Sequence, residues 1–157
     1  MQVREMNIDE VEKVGKLHNE LAYYIQEETK DVYFNFDILD LQGISEHLKK
    51  YIDDSSKKVF IVEMDSEIVG FIAGEIIHCY LPISSTKKIG YISGAYVIPS
   101  LRGHGIMKNL ERQITEFFRL NGIEYAEVFF ISDNLVAKSC WEGLGYTTFR
   151  EQARKKL

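Results

Sequence analysis

The sequence predicts a mixed α/β (α+β) fold, a central mixed sheet of about six to seven strands with helices on both faces, in the order β-α-α-β-β-β-α-β-α-β. Three observations carry this. Residues 58–98 hold three strand-like runs in close succession, and Asp65-Ser66-Glu67 between the first two is short enough for an antiparallel hairpin. Residues 99–150 then alternate helical and strand patterns, and a helix between two strands makes those strands parallel. Helical periodicity also precedes the strands, so both faces can be covered.

Taken in order, Val3 to Ile8 suits a short strand, and Asp9 can cap a helix carrying Val11, Val14, Leu17, Leu21 and Ile25 on one face. The pattern breaks from Asp31 to Leu41, where Val32-Tyr33-Phe34-Asn35-Phe36 stands between acidic residues. A shorter helix is expected from Ser45 to Ile52, then strands over Lys58–Met64, Ile68–Tyr80 and Ile89–Ile98. The third strand contains Gly90 and Gly94, which mark a bulge or a close approach of backbone or ligand. Pro99 ends it. A helix follows with Ile106, Leu110, Ile114, Phe117 and Phe118 at core spacing, stopped by Asn121-Gly122. Tyr125 to Ile131 reads as a buried strand, Asn134 to Leu144 as a helix, and Tyr146 to Arg150 as a last strand before the basic Arg154-Lys155-Lys156.

The 157 residues suit one domain, 1–157, with no linker or repeat to divide it. At 45% hydrophobic and 27% charged, the composition excludes collagen-like and disordered classes. Cys79 and Cys140 form no C-x-x-C or Cys/His cluster, so neither a disulfide framework nor a metal site is expected, and a cytoplasmic setting fits. The N-terminus lacks the basic and apolar regions of a signal peptide, and no apolar run approaches the ~18 residues of a membrane span. Residues 1–56 carry 13 acidic and 6 basic side chains, whereas residues 57–157 carry 11 and 13. The acidic first third disfavours nucleic acid and permits a cationic ligand there, with an anionic one further on.

The segment Pro99-Ser100-Leu101-Arg102-Gly103-His104-Gly105-Ile106 lies between a strand and a helix. Backbone N–H groups at a helix start, with the helix dipole, make a phosphate or pyrophosphate site, and glycines let the ligand approach. Two better-known phosphate loops are excluded. A G-x-G-x-x-G fingerprint starting at Gly103 meets Lys108 where its third glycine belongs, and no G-x-x-x-x-G-K-[ST] occurs.

Val97-Ile98-Pro99-Ser100-Leu101-Arg102-Gly103-His104-Gly105-Ile106-Met107 resembles the V-x-P-x-x-R-G-x-G-I-G segment of the GCN5-related N-acetyltransferases (GNAT superfamily), departing at Met107. In the family's alternative register, Q/R-x-x-G-x-G/A, Ser100 departs instead. About thirty residues on, Asn134, Ala137, Trp141, Gly145 and Tyr146 resemble the family's N-x-x-A-x-x-x-Y-x-x-x-G-F motif in register. The resemblance runs from about residue 58 to 150.

The resemblance implies acetyl-CoA as cofactor. Backbone groups around Ala95, Tyr96 and Val97 would hydrogen-bond the pantetheine arm like an added strand. The N–H groups of Arg102, Gly103, His104, Gly105, Ile106 and Met107 would cradle the pyrophosphate. Asn134 would touch the pantetheine while also capping a helix, beside Ala137 and Trp141. Trp141 stands where many members have a tyrosine that protonates the leaving thiolate, and an indole N–H is no proton source near neutral pH.

Direct transfer also needs a neutral amine, so a carboxylate or histidine must take its proton. Glu75 and His78 are the candidates, facing opposite sides of a strand, with Glu127 a third. Neither cysteine matches a nucleophile position, so no acyl-enzyme is expected. His18 and His47 read as structural or surface residues. Glu28, Tyr33, Phe34 and Phe36, with Glu27, Asp31 and Asp37, fall in the segment resembling the family's variable acceptor lid, and their acidic and aromatic character suits a cationic amine.

The leading expectation is an acetyl-CoA-dependent N-acetyltransferase acting in a ternary complex. The alternative is a GNAT-like sensor that binds an acyl-CoA with little turnover. Dimers are common in the family, although no segment here marks a homodimer interface. Arg154, Lys155 and Lys156 are expected to form a solvated tail rather than to reach back to the cofactor phosphates.

Overall fold

In the computed structural model, which describes all 157 residues, five strands form one sheet. β1 (Gln2–Glu5), β2 (Lys57–Met64), β3 (Glu67–His78) and β4 (Lys88–Val97) are each antiparallel to the next, and β5 (Ala126–Val128) lies parallel to β4 at the edge. The β2–β3 hairpin turns on Asp65 and Ser66, both at positive φ (49° and 66°), so the loop has the twist a tight hairpin requires.

α1 (Val11–Thr29) and α2 (Leu41–Asp53) cover one face, where Val11, Val14, Leu17, Leu48 and Tyr51 pack on Val59, Ile61 and Phe71. α3 (Ile106–Leu120) and α4 (Leu135–Gly143) cover the other, with Leu110, Ile114, Phe118 and Trp141 on Val62, Ile72 and Ile92. The helical spacings read from the sequence thus mark the packed faces, with Leu21 and Phe117 partly buried at their margins and Ile25 outside the core. α2 begins four residues earlier than expected because the Asp40 carboxylate accepts from Gly43 N–H at 3.0 Å, a cap that carries the helix through Gly43.

The expected six to seven strands become five. Tyr146 to Arg150 is not a strand: the chain turns back at Gly145 (φ 94°), and Tyr146 N–H donates to Trp141 carbonyl at 3.0 Å. Tyr146 is thereby held on the end of α4, its ring edge-on to Trp141, while Arg150 lies over the Tyr80 ring. The expected strand from Tyr125 to Ile131 shortens to three residues for a related reason, since β5 follows β4 only as far as Ile92.

Gly90 and Gly94 play different parts. A Cβ on Gly90 would lie 2.4 Å from the Phe118 ring, so the glycine admits that ring against the sheet. Gly90→Ala is expected to lower stability by about 1–3 kcal/mol through overpacking, read from the urea midpoint at unchanged slope. Gly94 belongs to a β-bulge: Gly94 pairs with Ala73 and Ile92 with Gly74, leaving Ser93 as the extra residue.

Candidate cofactor and acceptor site

The bulge is where β4 and β5 part. Pairing between them ends at Ile92 and Val128, so Gly94 to Val97 has β3 on one side and no strand on the other. Ile98 N–H donates to Val69 carbonyl on β3 at 3.0 Å. Because backbone groups alternate sides along a strand, those of Tyr96 also face β3, and those of Ala95 and Val97 face the open side. Nε of Arg102 donates to Val97 carbonyl at 3.0 Å. The N–H and C=O of Ala95 and the N–H of Val97 remain, an open strand edge to which an extended chain can add. Of the three residues expected to offer backbone to the pantetheine, Tyr96 is therefore corrected: its ladder groups belong to β3, and its side chain is 5% exposed.

The glycine loop starts just beyond this edge. Gly103 (φ 82°) and Gly105 (φ 76°) adopt left-handed backbone, and a Cβ on either would meet nothing within 4 Å. Leu101 and Arg102 N–H donate to Ile98 and Pro99 carbonyls, and the first N–H bonded into α3 after them is that of Asn109, to Gly105. The six consecutive N–H groups from Gly103 to Lys108 thus have no partner in the chain, and no side chain caps the helix. Converging unpaired donors at the positive end of a 15-residue helix form a nest for an anion.

Arg102 departs from expectation. Its N–H is spent on Pro99, and its guanidinium lies 4.2 Å from the Tyr24 ring centroid and 5.4 Å from that of Tyr96, turned toward α1. The cradle therefore starts at Gly103, and Arg102 braces the loop against the sheet. Nδ1 of His104 shares a hydrogen bond with Arg102 carbonyl at 2.9 Å. Ile106 is buried in the core and Met107 lies at its margin, so both face the cleft through backbone.

At the start of α4, Asn134 is buried and its Oδ1 accepts from Ala137 N–H at 3.1 Å, the helix cap anticipated from the sequence. Trp141 is 6% exposed and packs in the α3–α4 core. The neighbouring phenol is no proton source either: Tyr146 hydroxyl donates to Glu111 at 3.2 Å, and burial pushes it well above the usual tyrosine range.

On the α1–α2 face, polar groups gather around the bulge. The hydroxyls of Tyr51 and Ser93 share a hydrogen bond at 2.9 Å. Glu75, paired across from Tyr91, faces this side and lies 3.5 Å from Lys57 Nζ. His78 is exposed near the strand end, opposite Lys88 and on the other face. Glu127 sits on β5 across from Tyr91.

His18, read from the sequence as structural or surface, stands closer. Its ring stacks on Phe71 at 4.8 Å, and Nε2 lies 2.9 Å from where a Cβ on Gly94 would be. Burial, with His47 beside it, pushes its pKa down to about 4. Ser93, Tyr51 and His18 were invisible as a group because only the bulge brings them together.

The depressed His18 value has a stability consequence. The folded chain holds a neutral imidazole that protonates near 6.5 when unfolded, so stability falls as pH drops from about 6.5 to about 4. The contribution is about 3 kcal/mol at the acid end. In urea unfolding, His18→Phe is expected to lose about 2–3 kcal/mol less than wild type between pH 7 and pH 4.5.

The lid segment folds against the second half of α1. Nε2 of Gln26 donates to the carbonyls of Phe34 and Phe36 at 2.6 and 2.9 Å, and Tyr23 meets the Phe36 ring edge-on. Phe34 and Phe36 line a cavity of about 460 Å³ with Glu27, Asp31 and Asp37. Glu28 and Tyr33 are exposed instead, Tyr33 at 75%. A second cavity, of about 350 Å³, lies between α1 and α2 and is lined by His18, His47, Asp40, Leu39, Ile44 and Leu48.

The tail departs from expectation at Arg154, while Lys155 and Lys156 are exposed as expected. Arg154 donates to Asp31 from both terminal nitrogens, one at 2.9 Å, and lies 4.5 Å from the Tyr33 ring centroid. It straps the C-terminus to the lid and holds the Asp31 carboxyl below its ordinary range. NMR titration of Arg154→Ala is expected to show the Asp31 carboxyl rising toward that range, part of the depression remaining because Tyr33 N–H still donates to it at 2.9 Å.

No curated protein matches the sequence. Among solved structures, a mutant of BH1408 from Bacillus halodurans is similar at 20% identity and a TM-score of 0.86, covering 100% of this chain and 99% of its own. The aminoglycoside acetyltransferase AAC(6')-Iy, solved with a CoA-S-monomethyl-acetylneamine bisubstrate analogue, is similar at 17% identity and 0.81, covering 99% and 97%. AAC(6')-IG from Acinetobacter haemolyticus is similar at 14% and 0.80, covering 100% and 98%. These are likenesses of fold. The family match carries more, running from Glu20 in α1 to Tyr146 just past α4 and so including the parted strands, the glycine loop and Asn134. On that match, this chain belongs to the Acetyltransferase (GNAT) family.

Proposed function

We propose that this chain moves the acetyl group of acetyl-CoA to a primary amine of a small molecule or protein, by direct transfer in a ternary complex. The observation that carries the reading is the coincidence, at one end of the sheet, of the open edge at Ala95 and Val97 with the six unpartnered N–H groups from Gly103 to Lys108. A pantetheine arm needs amide partners along an extended path and a pyrophosphate needs converging donors, so this donor set fits CoA. Acetyl-CoA supplies the acetyl group as a thioester activated toward amines.

In this reading Gly103, His104, Gly105, Ile106 and Met107 hold the pyrophosphate through backbone N–H, and Ala95 and Val97 hold the pantetheine. Asn134, Ala137 and Trp141 wall the far side of the opening. The Ala95 N–H, at the edge nearest the bulge, polarises the thioester carbonyl in this reading, the role of a fixed amide donor. Of the two proton acceptors expected from the sequence, Glu75 shares the acceptor's face but is engaged by Lys57, and His78 lies on the opposite face of the sheet. The acceptor is read as a cationic amine entering from the lid side, near Phe34 and Phe36 with Glu28 and Tyr33 at the rim. The aminoglycoside enzymes among the similar structures support that class.

The test is thiol release from acetyl-CoA across a panel of polyamines, aminoglycosides and lysine peptides. Acceptor-dependent release with stoichiometric N-acetyl product is expected. Trp141 favours a second reading, an acyl-CoA sensor, for which acetyl-CoA binds but no amine releases thiol.

A further inference from the structure

His18 is the one histidine packed against the backbone where β4 parts from β5. Its Nε2 stands over Gly94, one residue before the open Ala95 edge. By contrast, Glu75 sits across from Tyr91, on the far side of the bulge, with Lys57 Nζ 3.5 Å away. His78 lies further along the same strand on the opposite face.

The same imidazole lines the α1–α2 cavity of about 350 Å³. That is within the range of small-molecule sites, and Leu39, Ile44 and Leu48 give it an apolar wall while Asp40 and His47 give it polar ones. One ring therefore joins a cavity sized for an acceptor to the strand edge read as the thioester's. Resting on the acetyl-transfer reading, we propose that His18 is the group that takes the proton from the acceptor amine, and that the cavity between α1 and α2 seats the amine-bearing end of a cationic acceptor.

The step balances. As the amine nitrogen forms a bond to the acetyl carbonyl carbon, the C–S bond breaks and its electron pair leaves with sulfur. The surplus N–H proton passes to Nε2 of His18, which then returns it to solvent, and the thiolate takes one proton from solvent. The net change is amine plus acetyl-CoA to amide plus CoA thiol. This also explains how Trp141 can occupy a tyrosine's place, since no acid from the chain is required.

The groups facing His18 are His47 from α2 and Asp40, which caps that helix, while β3 and β4 present Phe71 and Gly94. The imidazole stays neutral well below pH 7, so it neither repels a cationic acceptor nor needs deprotonating before each turnover. It is a weak base, and that suffices because the nitrogen becomes strongly acidic as its bond to carbon forms.

Wild type, His18→Gln and His18→Ala are compared using acetyl-CoA with neamine or spermidine as acceptor, alongside Glu75→Gln. Acetyl-CoA affinity by isothermal titration is expected to stay within about threefold, while kcat in His18→Gln falls about 100-fold or more. Added imidazole should restore activity to His18→Ala, which no packing role predicts. In the wild-type complex with desulfo-CoA, neamine should shift the His18 ring resonances. Wild-type turnover with His18→Gln within about threefold, or with Glu75→Gln far more impaired than His18→Gln, overturns the assignment and leaves acetyl transfer standing. Loss of acetyl-CoA affinity in step with activity, or no rescue by imidazole, also overturns it. Acetyl-CoA binding with no wild-type turnover on any amine overturns acetyl transfer and this assignment together.

Discussion

Gly105→Val is expected to weaken acetyl-CoA binding by about 100-fold while lowering the melting temperature by only about 2–8 °C. Gly105 sits at φ 76°, and a side chain there would meet nothing within 4 Å, so the damage is conformational rather than steric. A β-branched residue resists left-handed backbone, and relaxation toward negative φ re-aims the N–H groups on either side. Losing two hydrogen bonds to a charged group, at about 1.5–3 kcal/mol each, gives a hundredfold loss at the low end. Gly105→Asn supplies the control, because asparagine tolerates that conformation, and its affinity should stay within about fivefold. Isothermal titration of both variants separates a backbone cradle from a site built of side chains, since neither exchange touches a charged residue.

The second large effect concerns the strand edge. Ala95→Pro should lower kcat/KM by about 100-fold or more with the fold intact, because it deletes one N–H donor that faces the opening and no bond of the β3–β4 ladder. Tyr96→Pro, one residue on, removes a donor directed at β3 and should cost folding itself. Circular dichroism and thiol-release kinetics on the pair read the two outcomes separately. The contrast depends on the alternation set by Ile98 donating to Val69, so it tests which side of β4 the cofactor takes.

The parts legible in the sequence were those with local causes. Leu110, Ile114 and Phe118 recur at helical spacing and are the buried stripe of α3, and Pro99 with two glycines marks a strand-to-helix turn that needs left-handed backbone. Asn134 announced its cap through its place before a helix. What failed was set by distant contacts. Tyr146 to Arg150 has strand-like residues, yet the turn at Gly145 and the Trp141 ring claim Tyr146 before it can join the sheet. Arg102 resembles a phosphate ligand until the Tyr24 ring is in place beside it. The placements of His18 and Arg154 were not legible, because one depends on which side chain packs over the bulge beside Gly94 and the other on a lid 123 residues away.

The open β4 edge and the glycine loop together make a CoA site in this reading. Isothermal titration of the wild-type chain with acetyl-CoA tests it most directly, with desulfo-CoA and 3′-dephospho-CoA alongside. Saturable binding at micromolar or tighter affinity, about −8 kcal/mol or better, is the predicted result, and desulfo-CoA should retain most of it because the cradle grips the pyrophosphate. An absence of binding at millimolar ligand would contradict the account and remove the acetyl-transfer reading with it.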